Sequence, residues 1–170
     1  MTRIQFRLAT TADLPVIMNI VDGARLFLHH QGIPQWQNGY PDQSVFRADI
    51  SQQALYVGVE NGQVVMMLTL MNGPDPNYQK IAGTWQQSSN HYLVLHRIAV
   101  TRSVAGHGDA DAAFAFAIQM ARQQGKVSLR LDTHEKNHGM RHLAEKYQFK
   151  QCGTVWMADG APRIAFELVF

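Results

Sequence analysis

The apolar stretch Tyr92–Val100 is the feature that most constrains the fold of this chain. It is interrupted only by His96 and Arg97, and it leads through the Gly-containing turn Ala105–Gly108 into an Ala-rich helical pattern. A strand this apolar needs cover on both of its faces. The sequence therefore predicts a central strand in a sheet that carries helices on both faces.

Weaker patterns place the other elements around that strand. Alternation and apolar runs predict strands near residues 4–8, 55–59, 63–71, 127–132, 151–157 and 163–169. Asn61-Gly62, between the second and third of these, is the strongest short-range hairpin signal. Helical spacing predicts helices over 14–28, 110–121 and 140–147, with a shorter one over 44–51. This order predicts an α/β fold with a mixed sheet, in a single domain covering residues 1–170.

Composition excludes several classes of protein. The chain has 170 residues, with 15 basic and 13 acidic side chains, so a net charge of +2 argues against a nucleic-acid or polybasic membrane binder. The longest apolar run, Val64–Met71, falls far short of the roughly 20 residues of a membrane span. The first eight residues carry no signal-peptide pattern, and Cys152 is the only cysteine. We therefore expect a cytoplasmic protein without an intrachain disulfide.

The turn after the central strand is a candidate anion site. A helix N-terminus offers unpaired backbone N–H groups and the positive end of the helix dipole, and Gly106 and Gly108 would let a ligand approach closely. An ordinary strand-to-helix turn is the alternative, and the element alone leaves both open. No Gly-Lys-Ser/Thr follows, which excludes a P-loop, and the position after a hairpin does not suit a dinucleotide fingerprint.

Several motifs occur together in one order. The loop Ala105–Ala110 is similar to the acetyl-CoA loop, Gln/Arg-x-x-Gly-x-Gly/Ala, of one superfamily, and His96–Val100 is similar to the His-Arg-Leu/Ile-Ala-Val strand of a bacterial subgroup within it. Leu129–Thr133 followed by Asn137 resembles that subgroup, as does Gln35–Pro41 with its Gln-Trp and Gly-Tyr-Pro motifs. The chain thus resembles a GNAT-superfamily N-acetyltransferase over nearly its whole length.

The resemblance implies direct attack of a primary amine, on a small molecule or a peptide N-terminus, on the thioester of acetyl-CoA as co-substrate. Trp36 and Tyr40 would cover the acceptor side, with a lid packed on the core as the alternative. A backbone N–H of the central strand would polarise the thioester carbonyl. The residues that would bind acetyl-CoA are Ile98, Ala99, Val100, Ala105, Gly106, His107, Gly108, Asp109, Ala110 and Asn137.

The candidates for proton transfer are His96 and Tyr147. Imidazole exchanges its proton near neutral pH, which suits the base; a hydrogen-bonded core residue is the alternative for His96. Many superfamily members carry the acid, a tyrosine, seven residues after the matching asparagine, where this chain has Ala144. Tyr147 could replace it or could be a packing aromatic. His134 is a weaker candidate base.

Other features keep a second function open. His138 and His142 have the spacing of two metal ligands on a helix, but no third ligand is evident, so we expect no metal. Ala105 removes a side chain that would meet the pyrophosphate, and Asp109 and Asp111 place negative charge near it. The alternative is therefore a GNAT-fold ligand-sensing or interaction protein with weak or no acetyl-CoA binding. We expect an amine or peptide acceptor as partner, no nucleic acid and no membrane; a homodimer is compatible with the sequence.

Overall fold

The computed structural model describes residues 3–101 and 109–170 of the chain. This part of the chain forms a mixed α/β fold, as predicted. Its helices are α1 (Leu14–His30), α2 (Gln43–Ser51), α3 (Asp109–Gln123) and α4 (His138–Lys146), with 3₁₀ turns at Thr11–Asp13 and Pro76–Tyr78. Its strands are β1 (Gln5–Leu8), β2 (Leu55–Glu60), β3 (Gln63–Asn72), β4 (Ala82–Gly83), β5 (Tyr92–Val100), β6 (Ser128–Thr133), β7 (Lys150–Trp156) and β8 (Pro162–Val169).

Two compact units make up the chain, and each combines two separate stretches. The first unit contains residues 1–70 and 97–113, and the second contains 71–96 and 114–170. Strands β3 and β5 therefore contribute residues to both units. No helix within the described ranges has the length and apolar character needed to cross a lipid bilayer.

In the first unit, β1, β2 and β3 form an antiparallel meander. The hairpin between β2 and β3 turns at Asn61 and Gly62, whose φ angles of +52° and +78° are the left-handed values that a tight two-residue hairpin requires. The predicted hairpin is thus confirmed. The end of β5 lies beside β3, because the Thr101 N–H donates to the Val65 carbonyl at 2.8 Å.

The core of the first unit forms where α1 covers this meander. Leu14, Ile17 and Val21 are buried along one helical face, as the spacing predicted. They pack with Phe46 of α2 and with strand residues that include Ala99 of β5. The helices therefore hold the first part of the chain against the strand that carries the predicted site residues.

In the second unit the strand order is β5-β6-β8-β7-β4. β5 and β6 are parallel and the other pairs are antiparallel, which makes the sheet mixed. The sequence analysis missed β4, because a two-residue strand has no periodicity. Gly83 pairs with Gly153 so closely that a Cβ at Gly83 would lie 2.1 Å from the Cys152 carbonyl oxygen.

A buried ion pair holds β6 against β8. The Nε of Arg130 donates to Oε2 of Glu167 at 2.7 Å, and the glutamate is fully buried. The Arg130 guanidinium also lies 4.1 Å from the centre of the Trp85 ring and 3.9 Å from that of Tyr92. Arg130 thus fixes the rings of Trp85 and Tyr92. The Tyr92 ring in turn contacts the loop that follows β3.

Candidate active site

Two parallel strands separate at the candidate site of the second unit. β5 and β6 pair only from Tyr92–Ser128 to Val94–Arg130, although both strands continue further. His96 and Asp132 each lie two residues beyond the last pair, and side chains two residues apart on a strand point to the same face. Beyond this last pair the two strands no longer pair with each other. The His96 imidazole and the Asp132 carboxylate therefore lie at equivalent positions on the same face.

His96 is held by a carboxylate that comes from the loop after β3. Its Nε2 lies 2.8 Å from Oδ2 of Asp75, and the two side chains are 17% and 11% exposed. An ionised carboxylate only accepts hydrogen bonds, so Nε2 carries the proton and donates it. In the neutral tautomer that donates through Nε2, Nδ1 is the nitrogen with the free electron pair. This is the arrangement in which an acid orients a histidine for accepting a proton.

Two further hydrogen bonds fix Asp75 itself. Its Oδ1 accepts the Asn77 N–H at 2.8 Å and so caps the 3₁₀ turn, while its own N–H donates to the Tyr92 hydroxyl at 2.7 Å. Gly73 lies so close to the Tyr92 ring that a Cβ there would be 2.6 Å from Cε2. The glycine lets the loop lie flat on the buried tyrosine, which places Asp75 within reach of His96.

Tyr78 and Asp132 form a second pair beside the first. The Tyr78 hydroxyl donates to Oδ2 of Asp132 at 2.6 Å, and the Tyr78 ring lies 6.2 Å from that of His96. Burial, with the nearby charge of Asp132, raises the pKa of Tyr78 well above its usual value, so the phenol stays a donor. Burial also raises the pKa of Asp132, although the hydrogen bond from Tyr78 and the positive charge of Arg163 oppose this shift.

The four side chains His96, Asp75, Tyr78 and Asp132, which we call the histidine cluster, combine a basic nitrogen, two carboxylates and a fixed phenol. Sequence reasoning found only His96 as a member with a chemical role. Residues 72–77 belong to no element that the sequence predicted. The available signal was Asp75 directly before Pro76, since aspartate before proline is a helix-start pattern.

A second polar group lies in the first unit, around Arg97 of β5. Nε and Nη2 of Arg97 donate to the two carboxylate oxygens of Asp49, each at 2.9 Å, and Nη1 donates to the Tyr40 hydroxyl at 2.7 Å. Thr69 donates its hydroxyl to the same carboxylate at 2.9 Å. We call these four residues the Arg97 clamp. Tyr40, predicted to face the acceptor, is 44% exposed and contacts β5 through this hydroxyl.

The residues predicted to bind acetyl-CoA differ in how far the structure describes them. Ala99 is buried in the core of the first unit, while Ile98 and Val100, on the opposite face of β5, are partly buried. Ala110 is a partly buried residue of the first turn of α3. Asn137 caps α4, because its side-chain oxygen accepts the Met140 N–H at 3.2 Å. Ala105, Gly106, His107, Gly108 and the side chain of Asp109 lie outside the described residues.

The remaining predicted residues occupy separate places. Tyr147 follows the end of α4, and its ring stacks on Phe114 with the ring centres 5.5 Å apart. Trp36 packs against the core of the first unit. Burial lowers the pKa of His134, whose Nδ1 accepts the Lys136 N–H.

The metal prediction concerned the two histidines of α4. His138 and His142 are both exposed. Over residues 3–101 and 109–170, no three histidine, cysteine or acidic side chains are grouped as ligands for a metal ion.

Comparison with known proteins relates the chain to one family. The model of the acetyltransferase (GNAT) family matches residues 25–149. A GNAT-family acetyltransferase from Streptococcus agalactiae is 31% identical, with a TM-score of 0.85 over 98% of this chain and 95% of that one. No curated protein sequence matches the chain.

More distant structures share the fold. A Salmonella typhimurium protein solved with its cofactor acetyl-CoA is 17% identical, with a TM-score of 0.70 over 98% of this chain and 94% of that one. A ribosomal-protein-alanine N-acetyltransferase from Brucella melitensis is 20% identical, with a TM-score of 0.71 over 98% of this chain and 99% of that one.

Proposed function

The chain belongs to the GNAT acetyltransferase family, and from this membership we propose that it transfers the acetyl group of acetyl-CoA to a primary amine. The acceptor is a small molecule or a peptide N-terminus. The observation that carries the proposal is the Asp75–His96 pair, with its 2.8 Å hydrogen bond, on the face where β5 and β6 separate. An amine at neutral pH is an ammonium ion, so its acetylation needs a base placed in this way.

In the proposed reaction, Nδ1 of His96 takes one proton from the ammonium group. The freed nitrogen pair attacks the carbonyl carbon of the thioester, a C–N bond forms, and the C–S bond breaks. The sulfur leaves as a thiolate. The nitrogen gives up a second proton and the thiolate takes up one, which gives an amide and coenzyme A, while the proton held by His96 passes to solvent. Asp75 holds the imidazole in its productive tautomer and stabilises the imidazolium that forms.

Tyr147 is the proposed donor of the proton to the thiolate. Its ring is held by stacking on Phe114. Ile98 and Val100 are proposed to pair with the pantetheine arm through their backbone groups, because Ala99 between them faces the core. Asn137, at the head of α4, and residues 105–110 are proposed to hold the rest of the cofactor.

The first experiment is a thermal-shift titration with acetyl-CoA, with an adenine nucleotide that lacks the pantetheine arm as control. Ligand at 100 times its Kd stabilises by about 2.7 kcal/mol, which is about 5–10 °C in Tm for a chain of this size. We expect a shift of that order with acetyl-CoA alone. No shift at millimolar acetyl-CoA would contradict the transferase proposal.

The second experiment is a screen of primary amines and of peptides with free N-termini. It follows thiol release together with the mass of the acetylated product. We expect turnover that the variant His96→Ala strongly reduces. Binding of acetyl-CoA without product from any acceptor would favour the alternative, a GNAT-fold protein that senses a ligand without turnover.

A further inference from the structure

Arg97 adopts a backbone conformation that its position does not explain. It lies in the middle of β5, yet its φ angle is +48°, in the left-handed region that disfavours residues with a Cβ. Such a residue breaks the regular ladder of a strand and turns the following peptide group away from it. Unfavourable backbone conformations persist only where surrounding contacts enforce them.

The Arg97 clamp supplies those contacts. The Asp49 carboxylate is 4% exposed and receives both Nε and Nη2 of Arg97, the planar two-point geometry that arginine makes with a carboxylate. The Thr69 hydroxyl donates to Oδ2 of Asp49 and so fixes the carboxylate from a neighbouring strand. The guanidinium is therefore held in position and orientation at once.

Tyr40 extends the clamp to the loop before α2. Its hydroxyl accepts from Nη1 of Arg97 at 2.7 Å, and it lies in the aromatic loop 34–41. Arg25 of α1 donates to the carbonyl oxygens of Gly39 and Pro41 in the same loop. Loop, helix and strand of the first unit are thus joined through two arginines.

We propose that the Arg97 clamp is a positioning device: it holds the left-handed residue so that the peptide N–H after it, that of Ile98, is aimed at the thioester carbonyl of acetyl-CoA. Arg97 and Asp49 are then positioning residues. The inference rests on the proposed function, and it adds which side chains of this chain set the aim of that backbone group. A hydrogen-bond donor acts on a developing oxyanion only when it is held in place beforehand.

The competing explanation is that the Arg97–Asp49 ion pair only stabilises the fold. The infrared band of the thioester carbonyl distinguishes this explanation from a positioning role. We would bind acetyl-CoA labelled with carbon-13 at the thioester carbonyl, without any acceptor, and record its infrared band. A donated hydrogen bond lowers the frequency of a carbonyl band. We expect a lowered band in the unaltered protein and a band close to that of free acetyl-CoA in Asp49→Asn.

Three further variants sharpen the test. Arg97→Gly tolerates the positive φ without strain but loses the clamp, and we expect a broadened band with little shift. Asp159→Asn makes the same chemical change in the exposed turn between β7 and β8 and should leave the band unchanged. Tyr40→Phe removes a single hydroxyl from the exposed edge of the clamp. It should reduce the shift in part, and it keeps the test decisive if Asp49→Asn fails to fold.

Kinetics give a second readout. Loss of one oxyanion donor lowers kcat by about 10²–10³-fold, so a loosened donor should lower it by about 10–100-fold. We expect Asp49→Asn to lower kcat in this range, with the Kd for acetyl-CoA changed less than about threefold. The same band shift in Asp49→Asn as in the unaltered protein overturns the clamp proposal and leaves the transferase proposal standing. Failure of the unaltered protein to bind acetyl-CoA overturns both.

Discussion

Replacing Asp75 with asparagine changes the charge beside His96 while it keeps the shape of the loop. An asparagine oxygen can still accept the Asn77 N–H, so the 3₁₀ turn keeps its cap. The hydrogen bond to His96 becomes neutral, and the new NH₂ group can face Nε2 instead. The imidazole would then hold its proton on Nδ1, the nitrogen that has to accept one from the substrate.

The geometry of the Asp75–His96 pair sets an upper and a lower value for the loss of kcat/KM. Two unit charges about 4 Å apart interact by about 4 kcal/mol at an effective dielectric constant of about 20. This is an upper value, because the two side chains keep 17% and 11% of their exposure to water. A charged hydrogen bond exceeds a neutral one by about 1 kcal/mol, which gives a lower value. The kcat/KM of Asp75→Asn should therefore fall between about 5-fold and about 10³-fold.

The assay is a double-mutant cycle on initial rates of acetyl transfer. If Asp75 acts through His96, then Asp75→Asn should have little effect in a His96→Ala background. Asp159→Asn, in the exposed turn between β7 and β8, serves as the control for loss of one negative charge and should leave kcat/KM unchanged. An equal loss from Asp75→Asn in both backgrounds would refute the reasoning, as would a loss below twofold in the His96 background.

Three further predictions concern other parts of the molecule. Glu167→Gln leaves the buried Arg130 without its counter-charge and should lower the free energy of unfolding by about 3–5 kcal/mol in urea titrations; a loss below 1 kcal/mol would contradict this. The hydrogen bond from Arg7 lowers the pKa of Asp13, so this group stabilises the fold above the pKa of the unfolded chain and loses that effect as the pH falls through the lowered value. The difference in free energy of unfolding between the unaltered protein and Asp13→Asn should accordingly shrink between pH 6 and pH 3, and a constant difference would oppose it. Tyr147→Phe keeps the stacked ring and should lower kcat by about 10–100-fold with unchanged Tm if the phenol is the acid; unchanged kcat would leave the residue a packing role only.

Local patterns predicted most of the secondary structure. The sequence placed β5 at Tyr92–Val100, its observed bounds, because a long apolar run between polar segments has few alternative structures. The helix predicted over residues 140–147 begins at His138, and the side chain of Asn137 caps it. The GNAT resemblance, which rested on several weak motifs in one order, is confirmed by the family match over residues 25–149.

The prediction of the site was less complete, because the residues that contact one another there are far apart in the sequence. Asp75 and His96 are 21 residues apart, and Tyr78 and Asp132 are 54 apart. No local period or short motif records such a contact. The roles predicted for His96, Tyr147 and the acetyl-CoA residues stay predictions.

The Arg97 clamp was missed for a related reason. Arg97 was read only as a polar interruption of an apolar strand. Its left-handed backbone and its contact with Asp49, 48 residues away, follow from how the strand packs against α2. A propensity scale cannot predict such a conformation, because the isolated residue would avoid it.

The sequence by itself therefore determined the order of the elements, their type and the family of the chain. These depend on burial patterns, turn residues and caps, which act over a few neighbouring residues. Only the tertiary structure decided that Asp75 orients His96 and that Asp49 holds Arg97. Each of these contacts joins segments whose meeting depends on the packing of the whole unit, and hydrogen bonds form only where that packing brings donor and acceptor within about 3 Å.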